Sequence, residues 1–548
     1  MDIQGLANFL DDFVDGFQLI ALSILVGSVG WALAVLRVWH KPADLPEAAI
    51  RRCVGLLRGG AAALAGTQLF KVVTKAAVLA SSLGELPWSA YAGTAQFQAG
   101  VARAALALAV YAAARGLATQ PTRRRGWVLV IGLATAVMIS SAWLVHAVGR
   151  FEERTLLMTL TVLHELGAGV WVGGVIQLLG LRRLSRVDSR IDSYWPLAVT
   201  RFSALGVASV GTLLVTGTVM AGFYVGSFRG LFGTGYGSLV VAKVLLLGVA
   251  LGFAFLNFRA ERRWLLDHRA RAVGTRVPYY IEAETFLLIS LLFLAASVSS
   301  QPPAVDIPEL TASAREVAEM FEPKLPRLTS PTHQAMLAAQ PERFAVVDRV
   351  PSVAGTGWSN YNHNISGLFL LAMSGAALLA YARGYRWAHY WPLGFVALGI
   401  FLFFRSDAET WPLGPVGFWD STFGDSEVLQ HRIATLLALS LGVLETRARA
   451  AERASPRLRF LFPILCAFGG ILLVTHSHTA FEIKSQYLIQ STHLAMGLLA
   501  VIMATGRWLE LRLAETEDVA GTRFAGLAAV CAMLLIGLIL TFYREPLG

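Results

Sequence analysis

Eleven histidines occur in this chain of 548 residues, and their placement is uneven. Imidazole is the usual protein nitrogen ligand for copper and zinc and is costly to leave unpaired in hydrocarbon, so its positions in an apolar chain carry information. His146, His164, His363, His431, His476, His478 and His493 all fall within about three turns of the same, outward-facing ends of apolar runs. Only His40, His268 and His389 fall at the opposite ends, and His333 lies in a polar stretch. The tightest group is Thr475-His476-Ser477-His478, ahead of Lys484-Ser485 and His493. Residues at i and i+2 point about 200° apart on a helix, so both imidazoles reach one ion only where the helix ends and the chain turns extended. His431, beside Arg432, and His363, within Tyr361-Asn362-His363-Asn364, are the partners expected from neighbouring helices. The competing reading makes each an interfacial histidine bonded to backbone or water. Histidine-rich sets accept Cu(II), zinc and sometimes Cu(I), so ligand type alone does not select the metal.

A second group surrounds His146 and His164, the latter in His164-Glu165-Leu166-Gly167-Ala168-Gly169-Val170-Trp171-Val172-Gly173-Gly174. Glycines at this density allow close helix approach and place His164 in a bundle interior. Met138, Met158 and Met220 lie on nearby runs and offer thioethers for Cu(I), or pack as ordinary apolar residues. Lys243 and Glu284 are ionisable groups inside spans that could line a path or pair with each other, whereas Lys71, Lys75 and Arg103 either snorkel or line the interior. Asp407, Glu409, Asp420, Asp425 and Glu427 crowd the loop before His431, where they would gather cations or, as we favour, form a solvated loop.

The elements that carry these residues must be membrane-spanning helices. The chain is 55% hydrophobic and 15% charged, with mean hydropathy +0.57, which excludes an ordinary soluble domain. Apolar runs of roughly 20 residues, enough to cross the hydrocarbon, recur about fourteen times. The fold class expected is therefore an all-α polytopic bundle with the lipid bilayer as its solvent. Every second short loop is basic, which assigns those loops to the cytoplasm and both termini to the non-cytoplasmic side. The net charge of +10 resides in these loops and forms no single patch, so no nucleic-acid partner is expected. Acidic residues at 2, 11, 12 and 15 replace the basic start of a signal peptide, so no cleavage is expected. Cys53, Cys466 and Cys531 are isolated and read as small hydrophobes. A proline-rich polar stretch at 301–361 reads as an external linker with little core of its own, dividing eight spans in 1–300 from six in 362–548.

Several of these residues also fall in an ordered series: Leu163-His164 through Trp171-Val172-Gly173-Gly174, Arg201-Phe202-Ser203, Thr216-Gly217, Gly233-Thr234-Gly235-Tyr236-Gly237, Lys243, Asn257, Glu284 and Gln301-Pro302-Pro303. The series resembles the CopD copper-resistance domain over about 127–303; Leu144-Val145-His146-Ala147 stands where the family has Ser-Gly-His-Ala. Tyr361-Asn362-His363, Trp411-Pro412-Leu413-Gly414, Gln430-His431-Arg432, His476-Ser477-His478, Trp508-Leu509-Glu510 and Tyr543-Arg544-Glu545 are similar to the C-terminal half of longer CopD-type proteins. The resemblance implies a bacterial inner-membrane protein that binds copper, as Cu(I) or Cu(II), and moves it from periplasm toward cytoplasm, often beside a small periplasmic CopC-like partner. No Gly-x-x-x-x-Gly-Lys-Ser/Thr motif is present, so a gradient or partner exchange would drive transport. No catalytic residues are expected. Two alternatives stay open: a haem-binding membrane redox protein using inter-helix histidine pairs, with His164 and His493 the deepest, and a copper-holding delivery protein without transport.

Overall fold

The computed structural model describes residues 3–39, 46–149, 152–267, 272–339, 352–383, 385–450, 457–475, 484–516 and 518–545. Fourteen of its helices are long and apolar enough to cross a membrane, as the run lengths predict. With no water to satisfy backbone groups in hydrocarbon, each segment must close its own hydrogen bonds, and the helix does so. The eight before the polar stretch are α1 (Ile3–Gly30), α2 (Glu47–Leu83), α3 (Ala95–Thr119), α4 (Arg124–Ser141), α5 (Arg154–Ser185), α6 (Ser189–Tyr224), α7 (Gly235–Leu266) and α8 (Val277–Ser300). The six after it are α9 (Val353–Arg383), α10 (Leu393–Arg405), α11 (Ser426–Ala450), α12 (Leu461–Thr475), α13 (Lys484–Leu513) and α14 (Val519–Thr541). Among the described residues the only β-type pairing is an isolated bridge between Thr410 and Val416.

The chain folds into two compact units. The first comprises Leu10–Gly226 and Leu245–Gln301. In it α5 packs along α6, while α2, α3 and α4 form a row of neighbours. Helix α1 crosses α5 where Gly27 meets Gly173; a methyl group at Gly173 would overlap the carbonyl oxygen of Ser23. The glycine run thus does what its density predicts, admitting a backbone where a side chain would stand. Polar groups of this unit face inward: Lys71 on α2 pairs with Asp15 and, at 3.5 Å, with Asp11 of α1. Gln18 bonds Gln68, and Arg103 of α3 is buried between the charges of Glu165 and Asp15. Interior pairing offsets the cost of placing these ions in hydrocarbon, so Lys71 and Arg103 line the bundle.

The second unit comprises Met1–Phe9, Ser227–Val244 and Pro302–Gly548. Helix α13 packs on α12 and α14, α14 on α9, and α10 on α11. At one end a buried charge network joins three of these helices. Arg507 of α13 reaches Glu445 of α11 at 2.8 Å and Glu510 at 2.7 Å; Arg449 meets Glu445 at 2.7 Å, and Tyr381 of α9 donates to Glu510. The polar stretch is more structured than its composition predicts. Ser313 and Glu316 form a capping box on the helix Ala314–Phe321, whose Met320 is buried with Ala312, Tyr487, Leu488 and Tyr543. The buried methionine, the cap, and backbone contacts such as Ala312 N–H to the Gly233 carbonyl at 2.9 Å hold a segment that looks like spacer.

Candidate metal site

In the second unit, His363 on α9 and His493 on α13 meet edge to face with ring centres 5.7 Å apart. Each Nδ1 is tied to a carbonyl one turn back, His363 to Ser359 O at 2.9 Å and His493 to Ile489 O at 3.0 Å. A carbonyl only accepts, so in the neutral ring Nδ1 carries the proton and Nε2 keeps the lone pair, the arrangement that orients a histidine toward a metal. Tyr543 packs against His363 with ring centres 4.6 Å apart and the planes tilted by 42°. Ser359, which also approaches Nδ1 of His363, donates to the Glu545 carboxylate, and Asn360 accepts from the Glu545 backbone N–H. Burial, opposed by the Ser359 hydrogen bond, pushes the Glu545 carboxyl up to about 7. Burial, reinforced by the neighbouring Glu545, raises the Tyr543 phenol well above its ordinary value.

His431 on α11 bonds Asp407 at 2.9 Å. The Asp407 side chain is only 6% exposed and Glu409 is buried, whereas Asp420 is exposed, so the acidic loop is packed at its start and solvated further on. Arg432 holds that loop folded, donating to Thr410 at 3.1 Å and to the Trp411 carbonyl at 2.7 Å, between the rings of Phe403 and Phe418. One residue from His431, this arginine packs the start of a charged loop. His476 and His478 lie outside the described residues; α12 runs to Thr475 immediately before them.

In the first unit, His164 of α5 bonds Thr216 of α6 through Nδ1 at 2.9 Å. One turn away on the same seam, Thr161 donates to the sulfur of Met220 at 3.6 Å. A nitrogen and a thioether thus occupy neighbouring turns of one helix pair. Met158 is half-buried on α5 and Met138 is buried on α4. His146 sits in a short 3-10 turn, His146–Gly149, and its side chain is outside the described set. Glu284 on α8 is 3% exposed and accepts from Trp171 at 3.0 Å and Asn257 at 2.9 Å, both from its own unit. Lys243 lies in the part of α7 that belongs to the second unit. Among the described residues no three His, Cys, Asp or Glu side chains converge closely enough to hold an ion; the described histidines give the His363–His493 pair, with His431 near enough to His363 for their charges to interact, and His164 in the other unit.

Thr216, Trp171 and Asn257 stand in the ordered motif series, but their service as acceptor and donors to His164 and Glu284 is invisible in linear spacing. Asp407 and Ser359 carry no sequence signal tying them to a histidine, because the contacts bridge helices or follow from helical geometry.

Residues 196–298, from α6 to α8, match the family described as Copper resistance protein D, CopD. The chain is 27% identical over 300 residues to the copper transport protein CutJ of Bacillus subtilis (strain 168), covering 53% of this chain and 52% of that protein. The chain thus spans about half the length of the curated relative it matches. No solved structure matches. The matched helices contain Thr216, Asn257 and Glu284, the polar positions just placed, so the likeness to the CopD family lies in α6 to α8 of this fourteen-span chain.

Proposed function

We propose that the chain is a copper-binding permease of the bacterial inner membrane that takes copper from the periplasmic side and passes it toward the cytoplasm. The observation that carries the reading is the pairing of His363 and His493 from separate helices, each with Nδ1 anchored by a carbonyl. Ring centres at 5.7 Å are close enough for two imidazole–metal bonds of about 2 Å each. Copper as the cargo is supported by the family of residues 196–298 and by the name of the relative. His431 and, following α12 in the sequence, His476 and His478 are the proposed further ligands at capture. In the CopD-bearing unit, His164 with Met220, Met158 and Met138 supplies nitrogen and thioether donors, a mixture suited to Cu(I). Lys243 and Glu284 are assigned to the path and His146 to its rim. A small periplasmic CopC-like protein is the proposed donor, and a gradient or partner exchange the drive.

The test is copper bound per chain by elemental analysis of the purified protein, with radioactive copper uptake into proteoliposomes alongside. H363A/H493A is expected to lose at least half of the bound copper and most of the uptake, with unchanged melting. H476A/H478A is expected to lower binding further. Unchanged stoichiometry in both variants rejects the ligand assignment, and binding without accumulation identifies a holding protein.

A further inference from the structure

At the end of the first unit where α1 and α3 finish and α4 begins, the structure holds an open cavity of about 610 Å³. Its polar lining is Thr119, Gln120, Thr122, Arg123 and Arg124, with Trp39 as one wall. Guanidinium groups, hydroxyls and an amide can all donate hydrogen bonds, and no carboxylate is among the lining residues. Arg123, Arg124 and Arg125 are consecutive and exposed, and among the described residues none of them has a carboxylate partner. Arg124 lies over the Trp39 ring at 5.8 Å. By contrast, Arg51 on α2 is neutralised by Glu47 at 2.9 Å.

Both rims of the cavity are held from inside. The α3–α4 turn is fixed by Trp127, fully buried, whose indole N–H donates to the Pro121 carbonyl at 2.9 Å. On the other side α1 ends in a π-helical turn, Trp31–Val35, whose last carbonyl accepts from Tyr194 at 2.9 Å and Arg201 at 2.8 Å. Arg37 then adopts φ 52°, a left-handed conformation that a non-glycine residue holds only under constraint. That reversal brings Val38 and Trp39 to the cavity wall. A pinned, donor-lined, acid-free concavity at span ends is complementary to a phosphate, and guanidinium binds phosphate bidentately.

We propose that this cavity binds the phosphate of an anionic phospholipid headgroup. Its place at helix ends, with a tryptophan 43% exposed at the same level, is the depth at which headgroups and interfacial aromatic residues lie. The basic 115–125 loop is the kind that positive-inside topology assigns to the cytoplasmic leaflet, where anionic lipids attract arginine. A soluble phosphate satisfies the same donors but gains nothing from the apolar face of Trp39.

The test uses the full chain, delipidated in detergent, with native mass spectrometry counting retained lipid. Wild type is expected to retain phosphatidylglycerol over phosphatidylcholine. R123Q/R124Q is expected to bind phosphatidylglycerol roughly tenfold or more weakly, and R51Q is expected to bind as wild type does. R123Q alone leaves the Arg124–Trp39 contact in place and is read by the same assay, with melting temperature as the folding check for both. Equal retention of the two lipids by wild type, or unchanged retention in both arginine variants, overturns the proposal. Binding of inorganic phosphate with no preference among lipids also overturns it, by making the cavity a soluble-anion site. None of these outcomes depends on copper.

Discussion

The candidate imidazoles are held by three kinds of oxygen: a hydroxyl for His164, carbonyls for His363 and His493, and a carboxylate for His431. A carbonyl and an ionised carboxylate only accept, and the Thr216 hydroxyl already donates to the Thr212 carbonyl at 2.7 Å, so in each neutral ring Nδ1 carries the proton and Nε2 keeps the lone pair; only the His363–His493 pair brings two such rings together. Beside it, Glu545 makes a prediction at the residue scale. Its carboxyl titrates at about 7 when folded, whereas an unfolded glutamate titrates at about 4.3. Between these values the folded state binds more protons, so stability is greatest at acid pH and declines as pH rises through 7. E545Q is expected to flatten that decline, measured as melting temperature between about pH 5 and 8. A decline of unchanged slope in the variant rejects the assignment. The histidines themselves were legible in the sequence, but their acceptors were not. A carbonyl one turn back exists for every helical residue, and only the rotamer chosen in the packed bundle makes it a partner.

At the scale of the helix, small residues and buried ions decide which surfaces meet. Gly173 of α5 faces the Ser23 carbonyl and Gly27 of α1, and no side chain fits between them. G173A is therefore expected to destabilise the first unit by about 1–3 kcal/mol, the cost of forcing a methyl group into a filled contact. Melting in detergent checks this, and a neutral G173A would show that the two helices separate easily. The same mutation at Gly132 or Gly211, where nothing would meet the added methyl, is the control. In the second unit the Glu445–Arg507–Glu510–Tyr381 network joins α11, α13 and α9. Glu445 is fully buried and is paired there with Arg449 and Arg507. The glycine density of α5 announced a close crossing. The partner helix could not be read, because many helices offer a small-residue face and only the assembled bundle selects one.

Over the whole molecule, each unit is assembled from segments that are not contiguous. The second unit draws on Ser227–Val244 as well as on Pro302–Gly548. The short helix Phe228–Gly233 provides the reason: Tyr487 donates to the Phe232 carbonyl at 2.5 Å and the Ala312 N–H to the Gly233 carbonyl at 2.9 Å. A fragment of residues 302–548 expressed alone leaves the Tyr487 hydroxyl and the Ala312 amide without these acceptors. It is expected to be cut by protease around Tyr487 and residues 312–321 much faster than the full chain. Equal resistance would mean that the segment 227–244 adds nothing to this unit. The sequence boundary at 300 therefore marks where hydropathy changes, whereas the structural division follows contacts that cross it.

Hydropathy and run length by themselves determined the class of fold and the fourteen spans, because the membrane rewards each apolar segment independently of its neighbours. The ordered residues from Leu163 to Pro303 carried the likeness to the CopD family in the same local way, and the family match falls within them, at 196–298. Tertiary structure alone decided which imidazoles meet, that the acidic loop packs against Arg432, that 301–339 contributes a buried methionine, and that two arginines with no carboxylate partner among the described residues line a pinned cavity. Each of these depends on side chains from segments far apart in the chain. Their approach is set by the packing of whole helices, which spacing along one helix does not encode.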